Sequence, residues 1–278
     1  SDRLWPSGNR KVYYRGEIHR ITRVDAAANT VTLEDTTRDV YGRGDKLTVR
    51  AWWPSRITLK NLRFVAPYPR RKTTSVGIAI QQAADAVIEN LYLKGFEGAC
   101  IADILGVRSH YRNVRFEQDP DLDTSIGNGY GLRLNGGLQT TVDGLTAKGL
   151  RRAFDASALT GPELAAPSRD WVVSDFQVQG GVAWFPETAA LNYGVGMHGP
   201  SENGVFRNGR ITDCSNGVTA RGRATTVENV VFAGRLHTAV SLHEQGAGLV
   251  VRGCTYEGLG RGAGGVGGGC DTFVQLGL

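Results

Sequence analysis

A repeated segment with a fixed interruption is the feature that most limits what this chain can fold into. The stretch ITLKNLRF (57–64) alternates apolar and polar residues, but Asn61 breaks the alternation in the middle. The same interruption recurs at Asn90, Asn113, Gly144, Asp175, Asn208, Asn229 and Gly253. Because Asn, Asp and Gly tolerate a left-handed backbone, each copy is predicted to be two short strands joined by a sharp bend.

A second repeated segment, usually led by Gly, lies between these copies and runs from GIAIQ (77–81) to AVSLH (239–243), with a degenerate copy TFVQL (272–276). The residues taken as equivalent in it are Ile78, Cys100, Leu132, Phe154, Val195, Val218 and Val240. Their spacings are 22, 32, 22, 41, 23 and 22 residues, which is a base period with insertions. The chain is therefore predicted to be all-β, a right-handed single-stranded parallel β-helix of about eight coils over residues 57–278.

Residues 1–56 lack the repeat. Segments 17–24, 29–35 and 46–52 predict a short N-terminal antiparallel β lead-in, so we expect two domains, 1–56 and 57–278. Residues 1–72 hold 16 Lys and Arg against 7 Asp and Glu, a charge of +9, whereas the rest of the chain carries −4. This charge fits attraction to an anionic polymer, or a solvated or partner-facing module.

Two classes of partner are not expected. No recognition-helix or RNA-binding sheet motif accompanies the basic charge, so we expect no nucleic-acid partner. The sequence has no run of 18 apolar residues, so we expect no membrane insertion.

Outward positions of the Gly-led segments predict a candidate site. In a parallel stack, equivalent residues on successive coils lie about 4.8 Å apart, so outward residues form columns. One predicted column is Ala79, Ile101, Arg133, Asp155, Gly196, Thr219 and Ser241. Its neighbour is Gln81, Asp103, Asn135, Ser157, His198, Arg221 and His243. Carboxylates, imidazoles and guanidinium groups would thus share one polar face.

Long connections beside this face predict a cleft. Segment 179–193 carries Trp184, Glu187 and Tyr193, and segment 117–130 ends at Tyr130. Aromatic rings beside hydrogen-bonding groups suit sugar rings, and a long groove suits a polymer. We therefore expect Asn135, Trp184, Glu187, Tyr193, Tyr130 and His243 to bind substrate.

Segment 117–130 also has acidic residues at alternate positions, Asp119, Asp121 and Asp123. This is the spacing of a calcium loop, but the central Gly is missing and Tyr130 stands where the loop needs Glu. We expect no cofactor, with calcium at these three residues as the open alternative.

The coil pattern, with Asn at the bend, resembles the pectate-lyase-like β-helix superfamily over residues 57–278. The lead-in GEIHRITRVDAAANTVTLED, running directly into the first coil, resembles phage tailspike proteins. This resemblance implies a homotrimer in the virion tail, or an extracellular protein, that binds and often cuts a bacterial surface polysaccharide. A shared fold does not fix the chemistry.

The order Asn135, Asp155, His198 and Arg221 also resembles the motif order of polygalacturonase-type hydrolases. The match departs from their pattern, because Asn135 and Asp155 each lack a motif Asp nearby and no Lys follows Arg221. The resemblance implies Asp155 as general acid or base, with Asp103, Glu187 or a neighbouring chain supplying a second carboxyl group.

For β-elimination instead, Arg133, His198 and Arg221 are the candidates for base and charge neutraliser. Simpler, structural roles stay open. Asp155 could form an ion pair with Arg133 and have no catalytic role, and Arg221 could be no more than a partner of its neighbours in the same column. The predicted function is polysaccharide depolymerisation by hydrolysis or elimination. The alternatives are a non-catalytic receptor-binding or structural tail component, and a secreted bacterial polysaccharide lyase or epimerase.

Overall fold

The computed structural model describes residues 16–39, 41, 49–66, 75–118, 128–159, 166–180, 193–197, 199–242, 246–258 and 270–276. Near its start, β1 (Ile21–Asp25) pairs antiparallel with β2 (Thr30–Leu33). These strands match two of the three predicted for the lead-in. The third, predicted over 46–52, lies partly outside the described residues, and residues 49–52 form no strand. The domain boundary at residue 56 stays a prediction.

The bent segments form one parallel sheet of ten strands, called the bent sheet below. Its strands are β3 (Thr58–Val65), β5 (Val87–Lys94), β7 (His110–Glu117), β9 (Thr141–Leu150), β12 (Val172–Ser174), β13 (Gln177–Gly180), β16 (Val205–Thr212), β18 (Thr226–Ala233), β20 (Val250–Arg252) and β21 (Thr255–Glu257). The predicted split into two strands occurs only around Asp175 and Gly253; elsewhere the strand continues through the bend.

The bend itself is a left-handed residue in every copy, as predicted. Backbone φ is +57° at Asn61, +53° at Asn90, +52° at Asn113 and +74° at Gly144. The asparagines also stack, because the amide of Asn90 donates to Oδ1 of Asn61 at 2.9 Å and Asn113 donates to Asn90 at 2.8 Å. Each bend thus helps to hold the next coil in register.

The Gly-led segments form a second parallel sheet of eight strands, called the Gly-led sheet below. Its strands are β4 (Val76–Gln81), β6 (Ala99–Ile104), β8 (Tyr130–Asn135), β10 (Arg152–Ser157), β14 (Tyr193–Met197), β17 (Asn216–Ala220), β19 (Leu236–Leu242) and β22 (Cys270–Leu276). Short parallel pairings, including β11 (Ser168–Arg169) with β15 (Ser201–Glu202), form a third side. The described chain contains no helix, hence none that could cross a membrane.

One predicted register is wrong. Ile101 pairs with Ile78 and Leu132, so the equivalent residue in β6 is Ile101 instead of Cys100. A slip of one residue moves side chains to the opposite face of a strand. Ile101 therefore belongs to the core, and Asp103, in register with Ile80 and Leu134, lies on the inner face as well.

The space between the sheets is filled by side chains stacked along the axis. At mid-length, Trp171 lies 5.1 Å from Phe154 and 4.9 Å from Phe206 between ring centroids. Gly204 makes room for this indole, because a Cβ there would lie 2.0 Å from Trp171 Cζ2. Because the interior is closely packed with side chains, the outer faces of the strands are where a ligand can bind.

Candidate functional site

A cluster of ionisable side chains lies on the outer face of the Gly-led sheet, where β8, β10 and β14 are neighbours. In the strand register Arg152 is opposite Tyr130, and Asp155 is opposite Arg133. Tyr193 begins the next strand, β14. With Arg151, which directly precedes β10, these residues form what we call the Arg–Tyr–Asp cluster: Tyr130, Arg133, Arg151, Arg152, Asp155 and Tyr193.

Asp155 is held by a phenol and a guanidinium group. The Tyr193 hydroxyl donates a hydrogen bond to Oδ1 of Asp155, and Nη1 of Arg152 lies 3.6 Å from the same oxygen. The ring of Tyr193 packs over Gly196, where a Cβ would lie 2.9 Å from Tyr193 Cε2. Because Gly196 has no side chain, the Tyr193 ring can lie against the strand, and this position holds its hydroxyl beside the carboxyl group of Asp155.

Tyr130 is surrounded by arginines. Its hydroxyl accepts hydrogen bonds from Arg151 at 2.9 Å and from Arg152 at 3.0 Å. The guanidinium carbons of Arg151, Arg152 and Arg133 lie 5.0, 5.3 and 5.5 Å from the centre of its ring. These are cation–π distances, so one phenol organises three positive charges.

Burial shifts the ionisation of the cluster. Asp155 is 1% exposed, and burial raises its pKa despite the opposing effects of Arg152, the Tyr193 hydrogen bond, Arg151 and Arg133. Burial and the neighbouring Arg152 lower the pKa of Arg151. Burial also raises the pKa of Tyr130 and Tyr193, so both phenols stay protonated at neutral pH.

Three buried polar atoms of the cluster have no hydrogen-bond partner among the described residues: Nε of Arg133, Nε of Arg151 and Oδ2 of Asp155. Most buried polar groups in proteins are hydrogen-bonded, and an orphaned one is costly. A cluster with both donors and an acceptor unsatisfied is a candidate for binding a ligand.

Three predictions about the site are wrong in their placement. Asp103, expected on the outer face, is fully buried inside, where the Tyr111 hydroxyl donates to its Oδ2 at 2.8 Å. The reason is the register slip in β6. Tyr130 and Tyr193, expected as exposed rings of the connections, begin strands, are buried, and lie against guanidinium groups.

Of the two described site residues in the second predicted column, Asn135 lies near the Arg–Tyr–Asp cluster and Arg221 lies farther away. Asn135 ends β8, follows Arg133 by two residues and is nearly buried. Arg221 comes directly after β17 and is half-buried, two strands beyond β10 in the sheet. Beyond Asp155 the first predicted column continues with Gly196, Thr219 and Ser241. The hydroxyl oxygens of Thr219 and Ser241 lie 3.1 Å apart.

The other predicted site residues lie outside the described residues: His198, His243, Trp184 and Glu187, with the calcium candidates Asp119, Asp121 and Asp123. Within the described part of the chain, no three His, Cys, Asp or Glu side chains are grouped as a metal site requires. The roles predicted for the seven residues stay predictions.

Arg151 and Arg152 were missed by the sequence reasoning. A signal was available, since GLRRAFDAS places two adjacent arginines directly before the strand that carries Asp155. The structure places them beside the carboxyl group because β10 begins at Arg152 and Arg151 directly precedes it.

Comparison with known proteins bears on the fold. No protein-family model and no curated protein matches the chain. Its structure is similar to the tailspike protein gp49 from Pseudomonas phage LKA1, with a TM-score of 0.55 at 10% sequence identity. That match covers 98% of this chain and 52% of the tailspike, so the chain spans about half the length of that protein.

A second match is the endo-xylogalacturonan hydrolase from Aspergillus tubingensis, with a TM-score of 0.39 at 11% identity, covering 72% of this chain and 68% of the hydrolase. At 10% identity the match to the tailspike shows a shared fold alone. The chain is a right-handed parallel β-helix, similar in fold to a phage tailspike protein.

Proposed function

We propose that this protein binds a bacterial surface polysaccharide along the outer face of the Gly-led sheet and cleaves it at the Arg–Tyr–Asp cluster. The observation that carries the proposal is the buried carboxyl group of Asp155, with raised pKa, held between a phenol and a guanidinium group. Ionisable groups with shifted pKa values are concentrated at functional sites. The tailspike-like fold supports a polymeric glycan as the ligand.

In this proposal Asp155 is the general acid. A raised pKa keeps its proton to a higher pH than an exposed aspartic acid does, so it can protonate the oxygen of a glycosidic bond as that bond breaks. Tyr193 and Arg152 fix the carboxyl group through their contacts with Oδ1. Because Asp155 is 1% exposed, the glycan reaches it only when neighbouring groups shift.

The proposal needs a second group, whose nature separates two reactions. Inverting hydrolysis uses two carboxyl groups about 6.5–9.5 Å apart, and the described part of the cluster holds one. For hydrolysis the second would come from Glu187 or a neighbouring chain. For β-elimination the second group is a base instead of a carboxyl group, and Arg133, His198 and Arg221 stay the candidates for it. Arg151, whose pKa is lowered, joins them.

The test is to incubate the protein with surface polysaccharides from a panel of bacteria. Unsaturated products that absorb in the ultraviolet identify a lyase, and new saturated reducing ends identify a hydrolase. Asp155→Asn should lower the cleavage rate about 100-fold or more, the usual contribution of a general acid. The exposed Asp143→Asn is the control and should keep full activity.

Folding must be checked in the same experiment. If Asp155→Asn keeps the wild-type circular dichroism spectrum and cleaves at the wild-type rate, Asp155 is not the acid. A protein that shortens no polysaccharide it binds would contradict cleavage itself.

A non-catalytic receptor-binding role is the second candidate. It is favoured by the single carboxyl group in the described cluster and by its burial. In that case the protein would bind glycan without shortening it, and Asp155→Asn would leave host adsorption unchanged.

We also propose that the chain acts in a virion tail or outside the cell, as a homotrimer. The support is the fold shared with a phage tailspike. The expected mass in solution, measured by light scattering, is three times the 29.9 kDa of one chain. A mass equal to one chain would contradict the trimer and leave the glycan proposal standing.

A further inference from the structure

Resting on the glycan-binding function above, we propose that the polysaccharide is acidic and that a sugar carboxylate binds between Arg133 and Arg151. Neither arginine has an ion-pair partner within the described part of the chain, although both adjoin Asp155. The site would therefore select for charge on the sugar.

Positive charge exceeds negative charge in the Arg–Tyr–Asp cluster. In the described chain the cluster places three guanidinium groups around the Tyr130 ring and holds one carboxyl group, 3.6 Å from Arg152. Arg151 and Arg152 are adjacent in sequence and are 5% and 1% exposed. Buried charges are expensive unless they are paired, so an excess of buried positive charge needs compensation.

Another buried arginine, Arg169, is paired with carboxylates. Arg169 is 4% exposed, much like Arg151. Its Nε lies 2.9 Å from Glu202, and its Nη2 lies 3.5 Å from Asp39. Where an arginine is buried to hold the fold together, this protein supplies carboxylates. Arg151 instead donates to the neutral hydroxyl of Tyr130.

The unsatisfied donors of the cluster belong to these two arginines. Nε of Arg133 and Nε of Arg151 are buried and make no hydrogen bond with any described residue. Both guanidinium groups lie over the Tyr130 ring, 5.5 and 5.0 Å from its centre. The planar guanidinium fork matches the geometry of a carboxylate, so each of the two arginines offers a donor from which a sugar carboxylate can accept.

Arg133 is the group that an incoming ligand meets first. It is half-buried, whereas Arg151, Arg152, Asp155 and both tyrosines are almost fully buried. We therefore expect Arg133 to capture the anion and Arg151 to bind it more deeply. Seating the carboxylate there would place the rest of that sugar close to Asp155.

The experiment compares matched probes by isothermal titration calorimetry. Alginate oligosaccharides carry a carboxylate on each sugar, and carboxyl-reduced alginate oligosaccharides of the same length do not. We expect the wild-type protein to bind the acidic form at least tenfold more tightly. Dextran sulfate against dextran is a second pair, which distinguishes a carboxylate from any dense anion.

Two variants locate the site. Arg133→Gln should weaken binding of the acidic probe about tenfold and leave the neutral probe unchanged, and Arg151→Gln should do the same if it folds. The control is Arg210→Gln, an exposed arginine on the bent sheet that pairs with Glu257. It should change neither affinity.

Equal binding of acidic and neutral alginate oligosaccharides, or no binding of either, would overturn the inference. So would dextran sulfate binding as tightly as alginate, or Arg133→Gln weakening both probes alike. A protein that cleaves a neutral surface polysaccharide would keep the proposed function and lose only this inference.

Discussion

Asp103 and Asp155 show how the face on which a residue lies decides its role. Both carboxyl groups are fully buried, and burial raises the pKa of each. Asp155 lies among arginines on the outer face of the Gly-led sheet, whereas Asp103 accepts a hydrogen bond from Tyr111 inside the coil. Hydrogen bonding from Tyr111, Ser109 and the Gly106 backbone lowers the pKa of Asp103, but by less than burial raises it. The buried carboxyl group of Asp103 therefore destabilises the folded protein at neutral pH.

Asp103→Asn should therefore stabilise the protein at pH 7. Because the folded pKa of Asp103 is raised above its unfolded value of about 3.9, wild-type stability falls as the pH rises through that range. We expect a gain on the order of 1–3 kcal/mol at pH 7 and a smaller gain near pH 3, measured by urea unfolding. The exposed control Asp143→Asn should shift stability by less than about 0.5 kcal/mol. A variant less stable than wild type at pH 7 would show that the charged form is favoured.

Each bent strand combines two interactions that fix its neighbour. The Asn bend links coils through side-chain amides, as between Asn113 and Asn90. Directly before the bend, charges alternate from coil to coil, so that Glu89 lies 2.9 Å from Lys60 and 3.2 Å from Arg112. Exposed ion pairs contribute little energy, but a misregistered coil would lose both of these pairs.

Asn113 allows the two parts of the bend to be separated. Asn113→Gly keeps the left-handed backbone, as Gly144 does in the next coil, and removes the amide hydrogen bond, at a cost of about 0.5–1.5 kcal/mol. Asn113→Ala loses the hydrogen bond and also strains the backbone, which adds about 1–2 kcal/mol. Denaturant midpoints should therefore rank wild type above Gly and Gly above Ala. An alanine variant as stable as the glycine variant would mean that φ at the bend is unimportant.

The whole molecule is joined by ionic contacts between the lead-in and the third side of the β-helix. Nη2 of Arg38 lies 2.6 Å from Asp170, and Arg169 bonds to Asp39. Glu17 organises the lead-in by accepting from the backbone N–H groups of Arg38 and Asp39 at 2.9 and 2.7 Å. The lead-in is thus attached by carboxylates in their charged form.

We expect acid to loosen this attachment. Burial is the largest single effect on the pKa of Glu17 and raises it, but hydrogen bonds from the Arg38 and Asp39 backbone and from His19, with the charge of Arg169, together hold the pKa below its usual value. For Asp170, burial again raises the pKa most, but the hydrogen bonds from Arg38 and Asn203, with the charges of Arg38 and Arg169, together lower it. Depressed pKa values stabilise the contact above about pH 4, and that stability is lost as the pH falls through the folded values.

Hydrogen exchange of residues 16–39 measures the attachment. Exchange there should rise several-fold below about pH 4 relative to the bent sheet, once the intrinsic pH dependence is removed. Arg38→Gln should produce the same opening at pH 7, and Arg112→Gln, on the bent sheet, should not. Unchanged protection of the lead-in in acid would rule out a carboxylate-dependent contact.

The sequence alone determined the architecture, because its causes are local. A left-handed bend needs Asn, Asp or Gly, and the spacing of Gly144 from Asn113 and its other counterparts can be counted without coordinates. The same alignment placed Arg133 beside Asp155, which the strand register confirms.

Only the tertiary structure decided the faces of individual residues. Spacings of 22 and 23 residues look alike in a sequence. A difference of one residue nevertheless moves the side chains of a strand to its opposite face, and in β6 it placed Asp103 on the inner face. The start of β10 likewise decided that Arg151 and Arg152 join Asp155. The register of a coil depends on how its side chains pack against the coils on both sides. That packing is a long-range property which a local pattern does not contain.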